Sequence, residues 1–254
     1  MLAQFAASTV FDFFLIFCRV GSLFMLMPGI GEIYVPPRIR LTFALSVTLI
    51  LMPVIGTKLP APGADVIHTT VLVLGEVTVG IFIGMLARII QSTLHIAGMI
   101  IAFQSSLASA ILFDITQGSQ GSVVGTFMTL LGITVFFTSN LHHVMLMGLF
   151  NSYDVFAPGK FPPIGDMAEM APTMLSDSFR IAIGISAPLI VVGVLLYLSA
   201  GLMSRLMPQM QVFFILVPIQ VLGSFYILML TLSAGMVWYL EHFEGALNEL
   251  FVLN

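Results

Sequence analysis

Charge is scarce in this chain of 254 residues: Asp, Glu, Lys and Arg make up 8% of it, against the roughly 25% usual in soluble domains. With 59% of residues hydrophobic, that scarcity excludes a soluble globular domain. Uncharged runs of 25, 39, 24 and 35 residues separate Arg88 from Asp114, Asp114 from Asp154, Arg180 from Arg205, and Arg205 from Glu241. A bilayer core asks for about 20 apolar residues per helix, so the chain reads as a polytopic membrane protein. Cysteine is nearly absent. Cys18 alone cannot form an intramolecular disulfide or a cysteine-ligated metal site, and its apolar surroundings make it a small packing residue. Basic residues number 8 against 12 acidic ones and form no cluster, which removes the electrostatic footprint of a nucleic-acid partner. No Lys or Arg precedes the first apolar stretch, and that stretch carries Asp12. It therefore reads as a retained first membrane segment and not as a cleaved leader.

Catalytic motifs are also missing. There is no His-Glu-x-x-His, no Gly-x-Ser-x-Gly and no Gly-x-x-x-x-Gly-Lys; Gly159-Lys160 lacks both the upstream glycine and the following Ser or Thr. Adjacent His142 and His143 would point about 100° apart on a helix, an awkward geometry for two-point chelation. Pro163-Ile164-Gly165-Asp166 is a loose match to intramembrane aspartyl proteases, but Asp166 sits in a polar stretch. The reading is a non-enzyme without cofactor or metal.

What is present is a series of apolar stretches at about residues 5–27, 39–56, 67–101, 123–150, 177–204 and 212–240. They predict six helical segments in an all-α membrane protein. Pro28-Gly29 and Pro36-Pro37 make the first join short, so segments one and two form a hairpin. Leu-Met-Pro recurs at 26–28, 51–53 and 206–208 and reads as a helix terminator. The turn-rich run 56–63 and the longer stretch 151–176, with four prolines, read as solvated loops. Pro188 and Pro218 fall within the fifth and sixth segments and predict bends there. Arg38, Arg40 and Arg205 against Lys58 and Lys160 leave the orientation undecided.

Four ionisable residues lie inside apolar segments. Asp12 and Arg19 are two turns apart on one helix face; Glu76 and Arg88, about 120° apart round a helix, should meet different neighbours. A charge at membrane depth costs at least about 2.5 kcal/mol on insertion scales, so each predicts a partner, within the chain or in another subunit. Gly80 with Gly84, and Gly121 with Gly125, have the spacing that lets helix backbones approach closely. Between segments three and four, residues 103–122 mix apolar Phe103, Leu107, Ile111, Leu112 and Phe113 with small and polar residues and end near Gly118 and Gly121. Irregular backbone at membrane depth survives only inside protein or along a water-filled cavity, so this run reads as a pore or cavity element.

Arg19-Val-Gly-Ser-Leu-Phe-Met-Leu-Met-Pro28, followed by Gly31, Val35-Pro36, Arg38 and Arg40, resembles the N-terminal region of the FliR/SctT family of type III export gate proteins. Phe103 to Gly125, with Phe113-Asp114, resembles that family's plug loop, and Arg205-Leu-Met-Pro-Gln-Met-Gln-Val-Phe-Phe, running to Pro218 and Gly223, resembles its C-terminal part. The likeness spans nearly the whole chain. It implies a single export-gate domain over 1–254, with a FliP-like part (1–176) carrying a plug loop (103–122) and a FliQ-like hairpin with its tail (177–254). It further implies assembly with FliP-like and FliQ-like subunits beside an FlhB-like protein in a conical gate at the bacterial inner membrane, within the flagellar basal body. That gate passes unfolded flagellar proteins. The plug would comprise Phe103, Leu107, Ile111, Leu112, Phe113, Gly118 and Gly121, with Asp12, Arg19, Glu76 and Arg88 serving assembly. The injectisome branch is the alternative within the family. An autonomous secondary transporter would need paired interrupted helices in two halves, and only one interruption is visible.

Overall fold

The computed structural model describes residues 2–60, 66–107, 122–207, 209 and 211–251. Among them are seven α-helices: α1 (Leu2–Leu26), α2 (Pro37–Ile55), α3 (Val66–Gln104), α4 (Val123–Thr138), α5 (Leu141–Val155), α6 (Ile164–Leu206) and α7 (Val212–Phe251), with one 3-10 turn at Gly56–Lys58. The described residues contain no strand. Five helices are long and apolar enough to cross a membrane, and α4 with α5 makes a sixth if they count as one broken span. The chain is an all-α membrane protein, and its described helices match the six predicted segments only if α4 and α5 are taken together.

Helix ends follow local chemistry. Met27 N–H still reaches the Leu23 carbonyl, but Pro28 has no N–H to offer and Gly29 turns left-handed at φ 80°, so α1 stops. The short join leads to Pro37 at the first position of α2, where a missing N–H costs nothing; α1 and α2 then pack on each other as a hairpin. Leu-Met-Pro ends α1 and α6 as expected, but Pro53 lies inside α2. That helix runs two residues further because only one backbone bond is forfeited, and the Gly56 N–H still reaches the Met52 carbonyl.

Two segments differ from expectation. The fourth apolar stretch is two helices, broken where Asn140 adopts φ 59°, a conformation asparagine tolerates. The fifth begins at Ile164 and not near 177, so most of the stretch expected as a solvated loop is helical, with Pro172 inside α6. Pro162-Pro163 starts that helix, and Met167 and Met174, seven apart on one face, are both buried. That periodicity outweighed the proline and acidic content.

Contacts divide the chain into two compact units. One comprises 1–90, 139–175 and 243–254; the other comprises 91–138 and 176–242. In the first, Leu15, Ile16, Val20, Leu23 and Phe24 of α1, Ile83, Leu86 and Ala87 of α3, and Met145, Leu149 and Tyr153 of α5 are all buried. Gly80 and Gly84 let α3 lie against α1. A Cβ on Gly80 would stand 2.0 Å from Ser22 Oγ and 2.3 Å from the Arg19 carbonyl oxygen; one on Gly84 would stand 2.7 Å from Leu26 Cβ. Because backbone cannot rotate away, Gly80→Ala is expected to destabilise the protein by about 1–3 kcal/mol. Thermal unfolding in detergent checks this, with Gly223→Ala, whose Cβ would meet nothing within 4 Å, as the unchanged control.

The second unit has its own close approach. A Cβ on Gly98 of α3 would lie 2.5 Å from Gly125 Cα of α4. The partner of Gly125 across this contact is therefore Gly98; Gly121 lies outside the described residues.

Candidate functional site

The structure brings two of the four intrasegment charges together. Arg19, 1% exposed, projects from α1 between α3 and α5. Its Nε donates to Glu76 Oε2 at 2.7 Å and its Nη2 to Glu76 Oε1 at 3.1 Å, a bidentate fork. Nη1 donates to the Ser152 carbonyl (2.9 Å) and hydroxyl (3.2 Å), and Nη2 also donates to the Phe156 carbonyl (2.9 Å). All five guanidinium N–H groups are thereby used. Ser152 and Phe156 close the C-terminal end of α5, whose free carbonyls and negative dipole end favour a cation. The guanidinium carbon also stacks 3.9 Å over the Tyr153 ring. Seen from the sequence, Arg19 and Glu76 are 57 residues apart, and neither Ser152 nor Tyr153 carried a signal. A cavity of about 220 Å³ beside the pair is lined by Arg19, Gly75, Glu76, Asp154, Lys160 and Pro162, among others.

Arg88 meets a different neighbour, as its angular separation from Glu76 predicts. Its Nη2 lies 3.5 Å from Glu32 Oε2 in the α1–α2 join, and Arg40 donates to the Glu32 and Val35 carbonyls of the same join. Two arginines thus brace this turn. Asp12 is half-buried and has no ion-pair partner among the described residues, Arg19 included. At the surface Lys58 pairs with Asp154. The rings of His142 and His143, expected to point about 100° apart, instead lie with centroids 4.1 Å apart and planes tilted by 38°.

In the second unit the predicted pore element begins where α3 ends. Phe103 is 65% exposed and Leu107 half-buried; Ile111, Leu112, Phe113, Gly118 and Gly121 lie outside the described residues. At the end of α3 stands Gln220 of α7, 1% exposed, which sequence reading passed over. The only signal was a lone carboxamide in the apolar run 212–240.

Long apolar helices, close-packed glycines and a buried, fully hydrogen-bonded ion pair define a multispanning all-α membrane protein. Comparison with known proteins narrows this class. The chain belongs to the bacterial export proteins, family 1, which it matches over residues 10–246. It is 36% identical to the flagellar biosynthetic protein FliR of Caulobacter vibrioides over 88% of this chain and 90% of that protein, and 30% identical to the FliR of Bacillus subtilis over 87% and 86%. The Yop proteins translocation protein T of Yersinia pestis is 26% identical over 87% and 85%.

Proposed function

We propose that this chain is a non-enzymatic core subunit of the flagellar type III export gate in the bacterial inner membrane, forming with FliP-like and FliQ-like subunits, beside an FlhB-like protein, the channel for unfolded flagellar proteins. The observation that carries this is the near full-length similarity to flagellar FliR proteins; the lower identity to the Yersinia translocation protein favours the flagellar branch over the injectisome.

Geometry supports a gate subunit in two ways. Helices α3, α6 and α7 hold 39, 43 and 40 residues, contours of roughly 60 Å at 1.5 Å per residue, about twice the hydrocarbon thickness. Submerging one would need a tilt of about 60°, beyond the usual 0–40°, so part of each stands outside the bilayer. Large apolar side chains such as Leu222, Tyr226 and Met229 of α7 are nonetheless exposed along them, and partner helices would cover those parts. In this reading Arg19, Glu76 and Arg88 shape the subunit for assembly, Asp12 meets a neighbouring subunit, residues 103–122 close the idle channel, and 177–254 act as the FliQ-like hairpin.

The test is removal of the gene together with affinity purification of the tagged chain. Loss of swimming and of external filament, restored by the wild-type gene, and recovery of one detergent-stable particle containing the two partner types are expected. A flagellated deletion strain, or a chain that purifies only as a monomer transporting a small solute, overturns the reading.

A further inference from the structure

The sequence after α3 turns small and polar but lacks the glycine or proline that usually ends a helix. Ser105 to Phe113 reads Ser-Ser-Leu-Ala-Ser-Ala-Ile-Leu-Phe, without glycine or proline, and alanine and leucine favour continuation. Yet α3 ends at Gln104. Ser105 N–H bonds the Ile101 carbonyl at 2.9 Å, and Ser106 turns to φ 58°. That is the left-handed position which closes many helices and is ordinarily held by glycine, because a side chain there is strained.

Side chains of α6 and α7 meet the end of α3. Gln220 Oε1 accepts from the Ser106 hydroxyl at 2.8 Å, while its Nε2 donates to the Gln104 carbonyl and, at 3.2 Å, to the Tyr197 hydroxyl of α6. Gly193 of α6 completes the seat: a Cβ there would stand 2.4 Å from Gln104 Oε1. A carboxamide suits this task because it offers a donor to the terminal carbonyl and an acceptor to the hydroxyl at once. Buried at 1% exposure, it would be costly to leave unpaired.

We propose that Gln220 is the positioning residue for the end of α3: it holds Ser106 in the left-handed turn, stops the helix at Gln104, and so sets where Phe103 and Leu107 stand. Its importance for export rests on the proposed role of residues 103–122 in closing the channel, whereas the positioning itself does not.

The experiment uses the full chain co-purified with its partner subunits. Gln220→Met keeps the length of the side chain and removes its hydrogen bonds. Amide exchange in peptides covering 101–107 should quicken roughly tenfold, the equivalent of about 1.4 kcal/mol. Adding Ser106→Gly, which carries no left-handed penalty, should return exchange most of the way to wild type, a rescue that loss of packing alone would not give. Where Gln220→Met does not assemble, Ser106→Ala gives the second reading, because it removes the hydroxyl bond and keeps the strain; it should quicken exchange in the same peptides. Exchange unchanged in the variant that assembles, or no rescue by Ser106→Gly, overturns the proposal. Ion conductance of the idle complex, read on the same samples, should rise and fall with exchange. If exchange shifts and conductance stays flat, the positioning stands and the closing role of residues 103–122 fails.

Discussion

Replacing Arg19 with alanine is expected to remove nearly all assembled complex and with it swimming. Deleting one partner of a buried ion pair typically costs about 3–5 kcal/mol, chiefly because the other charge stays buried without compensation. Here Glu76 would be left 3% exposed, and the Ser152 and Phe156 carbonyls would lose donors at the end of α5. Against a total stability of about 5–15 kcal/mol for an ordinary domain, that is a large fraction. Arg19→Lys should fare little better: an ammonium has three donors and no planar fork, whereas the site uses five in fixed directions. Glu76→Gln should be milder than either, since the carboxamide oxygen keeps one acceptor for the guanidinium. Replacing both with methionine should recover part of the loss, as apolar substitutes for buried pairs often do. Yield of assembled particle, its thermal midpoint and soft-agar swimming rank the four variants. Wild-type assembly in Arg19→Ala would falsify the assembly role of the pair.

How much of this was legible beforehand depends on the range of the interactions. The all-α class, the α1–α2 hairpin and the Gly80–Gly84 contact are encoded by neighbours in sequence, through hydropathy, Pro-Gly punctuation and four-residue spacing, and reading residues in order recovers them. The requirement that Arg19 have a partner also follows locally, from the cost of a charge in an apolar helix. Its identity does not: Glu76 and the α5 carbonyls are brought to Arg19 by packing, and carbonyls have no signature in sequence. Asp12, on the same helix face, was the nearest visible alternative, and it lies two turns away without pairing. The misread start of α6 has the opposite cause. Prolines and acids marked 151–176 as loop, while the seven-residue spacing of Met167 and Met174 carried the helix. Gln220 escaped notice because its role depends on where α3 ends, a tertiary fact, and a single amide in an apolar run has no periodicity to betray it.

A second large effect is expected at the channel itself. A conduit wide enough for an unfolded chain must be sealed against ions when idle, and a ring of apolar side chains does so by excluding water from a constriction. Phe103 and Leu107, at the end of α3, and Ile111, Leu112 and Phe113 beyond it supply such a surface on the proposed reading, with methionines of neighbouring subunits as a deformable complement. Changing Phe103 and Leu107 together to serine places hydroxyls on the surface that would exclude water on this reading, while the ion pair at Arg19 keeps its residues. The idle complex in planar bilayers should then conduct ions where the wild type is silent. Cells overproducing the full complex should become sensitive to small ions and solutes, while export of some substrates persists because the conduit remains. Deleting 108–113 should open the channel further than the double substitution, since it removes the three remaining apolar residues together. Co-purification of the partner subunits at wild-type ratios verifies assembly in each case. If the deletion assembles fully and its conductance equals that of the wild type, residues 103–122 are not the seal, and the barrier to ions must then come from the partner subunits.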